Sequence, residues 1–427
     1  MKVAIYTLGC KVNQYETQAM ETELIRRGHT LTSFEDEADA YIINTCSVTA
    51  VSDKKSRNVV RRARKRCPDT VVAVCGCYVQ THADEAQTLG ADLLMGTNDR
   101  FGFLDELERL VAQRGEAVVR VDDALKRRTY EILPAGGMEG RTRALLKVED
   151  GCVNFCSYCI IPYARGPIRS LPLCEAVAET ARLAREGYQE LVVTGIEISS
   201  WGRDLDGKPG LIDLLEAVCT AAPHMRIRLG SLEPRTITED FCTRAAALSN
   251  LCPHFHLSLQ SGCDATLQRM NRKYDTARYL ESVRLLRQYF DLPAITTDLI
   301  VGFPGETEEE FTQTLSFIQE CSFSSMHIFP YSPRPGTPAA AMKEQVPGPV
   351  KEQRAHAAAE VAAAMEQNYL HSLVGRTLPV LFEQDEKGCS KGHAPNYVEV
   401  RIPTSGLHNV VRQVTVTGVE ENHLTAI

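Results

Sequence analysis

The sequence of 427 residues lacks any uninterrupted apolar stretch near the ~20 residues that a membrane-spanning helix needs. Its first residues, MKVAIYTLGCKVNQYE, lack the small-residue cleavage site of a secretory signal peptide. It also lacks an excess of positive charge, since 47 Lys and Arg stand against 55 Asp and Glu for a net charge of −8. We therefore expect a cytoplasmic protein that is not a generally basic coat for nucleic acid.

Cysteine, by contrast, is abundant, with 15 residues. In a reducing compartment these cysteines are not expected to form a disulfide framework. Any clustered subset is better explained by metal binding or catalysis.

The first region, residues 1–125, alternates short apolar runs with amphipathic segments, which predicts an open, mostly parallel α/β sheet. The strand candidates of this region are Val3–Leu8, Tyr41–Asn44, Val71–Val74 and Asp92–Met95.

The second region, residues 140–370, has six strand candidates separated by helical segments, which predicts a partial (β/α)6 barrel, open on one side. The candidates are Ala144–Val148, Leu191–Thr194, Arg226–Leu229, His254–Leu259, Ile295–Val301 and Met326–Phe329. Residues 374–427 contain short β patterns separated by Gly, Asn and Ser, which predict a small β-barrel. The fold class is therefore α/β with a β-barrel at the end.

Cys152, Cys156 and Cys159 form a C-x3-C-x2-C motif in GCVNFCSYCIIPYARG, directly after the first strand of the second region. Structural zinc sites normally have four protein ligands, and no fourth Cys or His is near in sequence. Three thiolates on one loop suit a [4Fe–4S] cluster with one iron left open. Three core cysteines or a zinc loop are the alternatives.

This spacing resembles the signature of radical S-adenosylmethionine (SAM) enzymes, and a six-unit barrel is similar to their fold. The resemblance implies that the open iron binds the amino and carboxylate groups of SAM. It also implies that one-electron reduction cleaves SAM to a 5′-deoxyadenosyl radical.

Cys10, Cys46 and Cys77 follow three separate strand candidates of the first region. Because the carboxyl ends of parallel strands share one edge of a sheet, we expect these cysteines to converge. A second open-coordinated Fe–S cluster fits such an arrangement. Taken singly, each cysteine is as well explained as a small buried residue, and Cys75 is a possible substitute for Cys77.

Motifs along nearly the whole chain resemble those of the methylthiotransferase family. They are TLGCKVNQYET, INTCSVT, CGCYVQ, DGCVNFCSYCIIPYARGPIRS, HLSLQSGCDATLQRMNRKY, DLIVGFPGET and FPYSPRPGTPA. The C-terminal β pattern resembles the TRAM domain of that family. Two of the motifs, NFCSYCIIPYARGP and HLSLQSGCD, are most similar to the tRNA threonylcarbamoyladenosine methylthiotransferases, which modify position 37 beside the anticodon.

The resemblance implies two [4Fe–4S] clusters and two uses of SAM. Cys10, Cys46 and Cys77 would hold the auxiliary cluster, where a sulfur is methylated by one SAM. Cys152, Cys156 and Cys159 would hold the radical cluster, whose SAM yields the radical that removes hydrogen from C2 of the adenine. The methylthio group then attaches to that carbon. By the same resemblance, the backbone of Tyr158 lies against the SAM adenine, with a surface-packing tyrosine as the alternative.

Further candidates for SAM contact lie near strand ends of the second region, where ligand sites of such barrels form. They are Thr194, Gly195, Glu197, Arg228, Ser231, Glu233, Ser258, Gln260 and Val301. Arg228 could bind the SAM carboxylate through its planar guanidinium. Charged residues at such positions also bridge neighbouring loops, which is the competing interpretation.

The run KKSRNVVRRARKR, from Lys54 to Arg66, carries eight basic residues and no acidic one. It is either a solvated helix face or a contact surface for RNA phosphates. Arg165 and Arg169, just after the cluster loop, could extend that surface or contact the modified nucleoside. The C-terminal region holds more acids than bases. If it binds tRNA, we expect shape, backbone and aromatics such as Tyr397 to dominate.

Three hypotheses follow from the sequence. The first is a radical-SAM methylthiotransferase that acts on threonylcarbamoyladenosine in tRNA. The second keeps the chemistry and changes the target to isopentenyladenosine in tRNA or an aspartate of a ribosomal protein. The third is a non-catalytic Fe–S or zinc protein that binds RNA. The sequence identifies neither the electron donor nor the sulfur source, and a monomer is our expectation for the oligomeric state.

Overall fold

The structure, a computed structural model, describes residues 1–134, 136 and 141–427. The chain divides into two compact units. The first unit comprises Met1–Glu139, Lys147–Leu171 and Ser332–Ala340, and the second comprises Gly140–Leu146, Pro172–Tyr331 and Ala341–Ile427. The domain boundary predicted at residue 140 lies outside the described residues.

The first unit is built on a six-stranded sheet in the order β2-β1-β3-β4-β5-β6, in which all neighbouring strands are parallel. Its strands are β1 (Lys2–Thr7), β2 (Thr30–Thr32), β3 (Ala40–Thr45), β4 (Val71–Gly76), β5 (Leu93–Met95) and β6 (Val118–Arg120). Every residue of the central strands β3 and β4 is buried. Their continuous apolar runs are typical of a parallel sheet that helices cover on both faces.

Helices cover both faces of this sheet. Those of the first unit are α1 (Lys11–Arg26), α2 (Ala50–Arg66), α3 (Cys77–Thr81), α4 (Ala83–Gln87), α5 (Arg100–Ala112) and α6 (Ile161–Arg165). Met20 of α1 and Phe103 of α5 pack on one face of the sheet, and Val60 of α2 packs on the other. The sequence pattern missed β2, β6, α3 and α4, because elements of three to five residues are too short to show a period.

Strand β7 (Arg143–Asp150) begins in the second unit and ends in the first. It is followed by β8 (Arg169–Ser170), β9 (Glu190–Gly195), β10 (Arg226–Leu229), β11 (Ser231–Leu232), β12 (His254–Leu257), β13 (Ala294–Val301) and β14 (Ser325–Pro330). They form two four-stranded sheets, β10-β9-β7-β8 and β11-β12-β13-β14. The six predicted strands correspond to β7, β9, β10, β12, β13 and β14, in the expected order.

A parallel bridge joins Ile227 of β10 to Leu251, just before β12, and so connects the two sheets. Helices separate the strands, as the predicted β/α alternation requires. They are α7 (Leu173–Arg185), α8 (Leu211–Ala221), α9 (Glu239–Ala246), α10 (Asp264–Arg269), α11 (Thr276–Tyr289) and α12 (Glu308–Cys321). The long helix α13 (Gly348–Ser372) follows the last barrel strand. In the described residues, none of the helices has both the length and the apolar character to cross a membrane.

The C-terminal strands close into a barrel in the order β15-β16-β17-β19-β18, which confirms the predicted small β-barrel. They are β15 (Thr377–Glu386), β16 (Cys389–His393), β17 (Glu399–Ile402), β18 (Val410–Glu420) and β19 (His423–Ala426). In β18, Val414 and Val416 point into the barrel while the residues on either side of them remain mostly exposed. Strand β16 was missed because CSKGH has little apolar character.

A buried carboxylate at the start of β9 holds together several elements of the second unit. Glu190 is fully buried, and its oxygens lie 2.6 Å from Nη2 of Arg226 and 2.7 Å from Nε of Arg228. Arg228 also donates to the carbonyls of Ala394 and Pro395, 3.3 and 2.7 Å away, in the turn after β16. Burial opposes the ionisation of Glu190, but the arginines outweigh it and lower its pKa to about 2.

This position differs from the one expected for Arg228. The guanidinium is only 1% exposed, and its N–H groups already bond to Glu190 and to the two carbonyls. A side chain saturated in this way has little capacity left for a ligand carboxylate. We therefore do not assign Arg228 to the carboxylate of SAM.

We predict that Glu190→Gln lowers the unfolding free energy of the second unit by about 3–5 kcal/mol at pH 7, because the buried Arg228 and the partly buried Arg226 lose their counter-charge. Since the pKa of Glu190 is lowered in the folded protein from 4.5 to about 2, its contribution is present above pH 4.5 and is lost as the pH falls toward 2. Urea unfolding at several pH values measures both effects.

Glu216→Gln is the matched control, since Glu216 is a more exposed carboxylate that also pairs with an arginine, Arg244. Exposed ion pairs contribute only about 0–1 kcal/mol, so this variant should lose much less stability. Equal losses in the two variants would contradict the role given to burial.

Candidate cluster-binding site

The three strand-end cysteines of the first unit lie at one edge of its sheet. Cys10 caps α1 three residues after the end of β1, Cys46 follows the last residue of β3, and Cys77 follows the last residue of β4. These strands are neighbours in the order β1-β3-β4. Burial, with smaller contributions from the nearby Cys46 and Cys10 sulfurs and against the opposing charge of Arg165, raises the pKa of the Cys77 thiol to about 12. The three sulfurs are thus close enough to act on one another electrostatically.

Gly9 and Cys75, which are close to the triplet in sequence, have different surroundings. Gly9 has a φ of +104°, and a Cβ there would lie 2.8 Å from Cβ and 2.9 Å from Sγ of Cys46. Cys75, considered as a substitute for Cys77, instead packs in the core between the sheet and α1 and α5. Its side chain therefore lies away from the other two sulfurs.

Asn13 holds two of the cysteine-bearing strand ends in place. Its Nδ2 donates to the carbonyls of Leu8 and Thr45, 2.8 and 2.9 Å away, which follow β1 and end β3. In return, Nδ2 of Asn44 donates to the Asn13 carbonyl at 3.0 Å. The sequence reading missed Asn13, although it lies three residues after Cys10 at the start of an amphipathic helix.

The C-x3-C-x2-C loop, also in the first unit, is folded tightly after β7. The Cys152 amide donates to the Gly166 carbonyl at 3.0 Å, and the Cys159 amide donates to the Cys156 carbonyl at 2.9 Å. Gly151 has a φ of +105°, and a Cβ there would lie 2.0 Å from the carbonyl oxygen of Pro167. The ends of the loop are therefore fixed by backbone contacts before any cofactor binds.

Behind the two cysteine triplets lies a buried network of ion pairs centred on Glu16 of α1. The Glu16 carboxylate oxygens lie 2.7 Å from a nitrogen of Arg100 and 3.4 Å from Nζ of Lys147. They lie closer still to Nη1 of Arg165. Asp150 joins the network through Lys147, Arg165 and Arg169, at 3.3, 3.5 and 3.2 Å. Burial opposes ionisation, but the three cations around Glu16 outweigh it and hold its pKa well below the usual range.

This network connects the two triplets through Arg165, which ends α6 six residues after Cys159. Nη2 of Arg165 donates to Oδ1 of Asn13 at 2.7 Å. Arg165 and Arg169 are 0% and 3% exposed. Neither arginine therefore extends a surface for RNA, as the sequence reading had considered.

A second buried arginine supports the loop that carries Cys46. Nη1 of Arg334 lies 2.6 Å from Asp53 of α2, and Nη2 donates to Oγ of Ser47 at 2.7 Å. Ser56 donates to the Cys46 carbonyl at 3.1 Å. Arg334 belongs to the FPYSPRPGTPA motif, whose role could not be read from the sequence.

Among the described residues, no three His, Cys, Asp or Glu side chains are grouped closely enough to hold a single metal ion. A [4Fe–4S] cluster, however, binds each cysteine through a different iron, so its ligands do not need to surround one point. Each triplet offers three thiols and no other ligand type, which fits a cluster with one open iron.

The predicted SAM contacts in the second unit lie at or near the carboxyl ends of its strands. Gly195 ends β9 and Val301 ends β13, while Ser258 directly follows β12. The remaining candidates at these strand ends are Thr194, Glu197, Ser231, Glu233 and Gln260. Burial, together with the charge of Glu233, raises the pKa of Glu197, whose carboxylate accepts from the Ser199 amide at 3.1 Å.

The basic run of the first unit forms the helix α2. Four of its arginines are held by side chains or carbonyls of the same unit: Arg57 by Glu85, Arg62 and Arg66 by Glu35, and Arg64 by Asp92. Lys54, Asn58, Arg61 and Lys65 are exposed and recur at spacings of four, three and four residues. These four residues therefore lie on one outward face of the helix, here called the α2 stripe.

Tyr397 of the C-terminal barrel is exposed, although its ring contacts several neighbouring side chains. Its ring stacks on His254 and His393, with centroids 5.1 and 4.9 Å away. The guanidinium carbons of Arg228 and Arg143 lie 4.6 and 5.1 Å from the ring centroid. Because Tyr397 is still 38% exposed, its contact with RNA bases stays a prediction.

Comparisons with known proteins agree with this organisation. Residues 2–96 match the uncharacterized protein family UPF0004, and residues 146–318 match the radical SAM superfamily. The radical SAM methyltransferase TsrM from Kitasatospora setae superimposes with a TM-score of 0.57 at 16% identity, covering 79% of this chain and 77% of TsrM. This similarity confirms the predicted fold class.

Two curated relatives cover nearly the whole chain. The threonylcarbamoyladenosine tRNA methylthiotransferase MtaB of Bacillus subtilis is 39% identical over 93% of this chain and 89% of the relative. The tRNA-2-methylthio-N(6)-dimethylallyladenosine synthase of Pelotomaculum thermopropionicum is 33% identical over 100% of this chain and 97% of the relative.

The chain belongs to the radical SAM methylthiotransferases, as its motifs had indicated. Within that family it is of the MtaB type, the type of the 39% identical relative.

We predict that Gly9→Ala lowers the amount of iron and sulfide bound by Cys10, Cys46 and Cys77, because the added Cβ would displace Cys46. Iron and sulfide analysis of the full chain carrying Cys152→Ala, Cys156→Ala and Cys159→Ala reports on this triplet alone.

Gly28→Ala is the matched control, because Gly28 also has a positive φ of +82° but no atom lies within 4 Å of its Cβ position. It carries the backbone cost of about 1–2 kcal/mol without the collision. Equal iron content in the two glycine variants would refute the packing role of Gly9.

Proposed function

We propose that this protein transfers a methylthio group to C2 of N6-threonylcarbamoyladenosine at position 37 of tRNA. The observation that carries the proposal is the presence of both cysteine triplets in one compact unit, linked by Asn13, Glu16 and Arg165. The MtaB name of the B. subtilis relative supports this substrate.

In this proposal the two triplets have different tasks. Cys152, Cys156 and Cys159 hold a [4Fe–4S] cluster whose open iron binds SAM, and Cys10, Cys46 and Cys77 hold the auxiliary one. When bound, the first cluster supplies the electron that cleaves SAM and the second carries the sulfur to be transferred. The protein's part is to fix the thiols: Gly9 and Asn13 position the strand ends, and the amides of Cys152 and Cys159 close the loop.

The strand-end residues of the second unit are the proposed SAM contacts. They comprise Thr194, Gly195, Glu197, Ser231, Glu233, Ser258, Gln260 and Val301, together with Tyr158 of the cluster loop. Positions at the carboxyl ends of barrel strands support ligand contact.

Isopentenyladenosine in tRNA, also called dimethylallyladenosine, is the main alternative substrate. The relative from P. thermopropionicum, which is named for that nucleoside, is 33% identical to this chain. A ribosomal-protein aspartate stays an alternative target. A non-catalytic Fe–S or zinc protein is disfavoured, since the chain belongs to a family of enzymes. The proposal includes a cytoplasmic location, a monomeric state, and an electron donor and a sulfur source that are separate partners of the protein.

We predict that tRNA from a deletion strain loses 2-methylthio-N6-threonylcarbamoyladenosine and that the parent gene restores it. Neither Cys46→Ala nor Cys156→Ala should restore it. With the purified proteins under anaerobic reduction, Cys156→Ala should form no 5′-deoxyadenosine, whereas Cys46→Ala should still form it but attach no sulfur. Nucleoside mass spectrometry and chromatography of the SAM products measure these outcomes.

Cys174→Ala is the matched control for both variants, because Cys174 is an exposed cysteine outside the two triplets. It should restore the modified nucleoside fully. Unchanged 2-methylthio-N6-threonylcarbamoyladenosine in the deletion strain, with loss of the dimethylallyl counterpart, would transfer the proposal to the alternative substrate.

The α2 stripe is the proposed contact for tRNA phosphates. Its basic members Lys54, Arg61 and Lys65 are exposed, whereas the arginines beside them are held by carboxylates. An exposed line of positive charge on an acidic chain attracts a polyanion locally even though the net charge is −8.

We predict that Arg61→Ala combined with Lys65→Ala weakens tRNA binding and lowers the slope of log Kd against log salt by about 2, one for each lost phosphate contact. The control pair is Arg26→Ala with Arg109→Ala, which removes the same charge from α1 and α5 on the other face of the sheet. Both control arginines pair with neighbouring glutamates. Binding isotherms at several salt concentrations test the difference, and equal slopes for the two pairs would reject the α2 stripe.

A further inference from the structure

Two exposed aromatic side chains belong to the C-x3-C-x2-C loop of the first unit and to the helix that follows it. Phe155 lies between Cys152 and Cys156, and Tyr163 lies in α6, four residues after Cys159. Their ring centroids are 5.8 Å apart, with an angle of 75° between the ring planes. Phe155 is 41% exposed and Tyr163 is 40% exposed. Single exposed apolar side chains are common, but these two rings contact each other and form one surface, here called the aromatic pair.

The backbone holds Phe155 in a conformation that few residues of its size adopt. Its φ of +47° lies in the left-handed region, which a Cβ atom disfavours and which bulky side chains rarely occupy. Such a conformation persists only where the surrounding structure fixes it, and here the amides of Cys152 and Cys159 tie down the loop by hydrogen bonds. The direction of the Phe155 ring is therefore maintained at a cost, which is common at ligand-binding positions.

The cluster loop and the segment bonded to it carry no acidic side chain. Residues 151–169, which include the aromatic pair, contain neither Asp nor Glu. Residues 332–340, which hydrogen-bond to the Ser157 carbonyl at 2.8 Å, contain none either. The two acidic residues just before the loop, Glu149 and Asp150, are buried. No carboxylate of these two segments would therefore repel a polyanion that approaches the rings.

The acidic side chains of the turn that contacts α6 are held by cations. Asp122 pairs with Arg127, and Asp123 lies 3.5 Å from Lys126. The α2 stripe, in the same unit, adds exposed positive charge. Exposed rings whose neighbouring carboxylates are paired suit single-stranded nucleic acid, because bases stack on aromatic side chains while phosphates need neutral or positive surroundings.

We propose that the aromatic pair stacks on the unpaired bases next to position 37 of the tRNA anticodon loop. This rests on the proposed function, which brings that nucleoside to the loop of Cys152, Cys156 and Cys159. A single ring is enough to stack one base, whereas a stable protein interface usually buries about 1,600 Å². Phe155 and Tyr163 are then RNA-binding residues that hold the flanking bases while the adenosine to be modified enters the site.

The test measures the affinity of the full chain for an anticodon stem-loop RNA. Phe155→Leu and Tyr163→Leu keep an apolar side chain but remove the ring, so each should raise Kd about tenfold, the effect of one lost base stack. The slope of log Kd against log salt should stay at the parent value, because no phosphate contact is lost. Phe155→Tyr, which keeps a ring, should bind as the parent does. The iron and sulfide content of each variant checks that the loop is intact.

Stem-loops that lack one base identify the contact and do not depend on the folding of a variant. Two such RNAs carry an abasic nucleotide on the 5′ or on the 3′ side of position 37. The parent should bind one of them about tenfold more weakly than the intact stem-loop. With that RNA, Phe155→Leu or Tyr163→Leu should cause no additional loss, because the base that the ring contacts is already absent.

Ile25→Ala is the matched control, because Ile25 is an exposed apolar residue of α1 in the same unit, outside the cluster loop. It should leave Kd at the parent value. Equal losses in Ile25→Ala and Phe155→Leu, or the same loss from Phe155→Leu with every stem-loop, would overturn the inference.

Unchanged RNA affinity in both leucine variants would overturn the inference as well. If these variants were instead reduced more slowly by a protein electron donor but not by dithionite, the aromatic pair would be a protein-docking surface. A parent that binds the stem-loop RNA no more tightly than a DNA hairpin of the same sequence would overturn the proposed function itself. The parent's affinities therefore distinguish that failure from a failure of the aromatic pair alone.

Discussion

Glu16 keeps an ionised carboxylate in the interior of the first unit, and the arrangement of both cysteine triplets depends on it. Three cations reach it from three different elements: Arg100 from α5, Lys147 from β7 and Arg165 from α6. Removing charges from water is costly, so such a network stabilises the fold only when the geometry of every partner is right. One carboxylate thereby sets the relative positions of the sheet edge and the cluster loop within this unit.

The sequence allowed the fold and the cysteine sites to be predicted because both depend on short-range patterns. The apolar runs of β3 and β4 mark buried parallel strands, and parallel topology places Cys10, Cys46 and Cys77 at one edge. Asn13 and Glu16 were missed because polar residues at the start of an amphipathic helix look solvent-exposed. Arg165 and Arg228 were interpreted as surface or ligand contacts for the same reason: burial of a charge depends on partners far along the chain.

The MtaB relative and the dimethylallyladenosine synthase share 39% and 33% of their residues with this chain over similar lengths. Both kinds of enzyme, by their names, place a methylthio group on a modified adenosine, and their substrates differ only in the group on N6. Identity over the whole chain therefore supports the methylthio chemistry more directly than the choice of nucleoside.

The contact between Arg228 and the turn after β16 has a consequence for how the C-terminal barrel is studied. Its carbonyls at Ala394 and Pro395 complete the solvation shell of a guanidinium that water does not reach. A truncated enzyme that ends before β15 would lack both carbonyls and the ring of Tyr397, and would leave the Arg228 guanidinium without these contacts. If such a truncated enzyme is inactive, structural damage to the radical SAM barrel explains the loss. The result would therefore not show that the missing β-barrel recognises RNA.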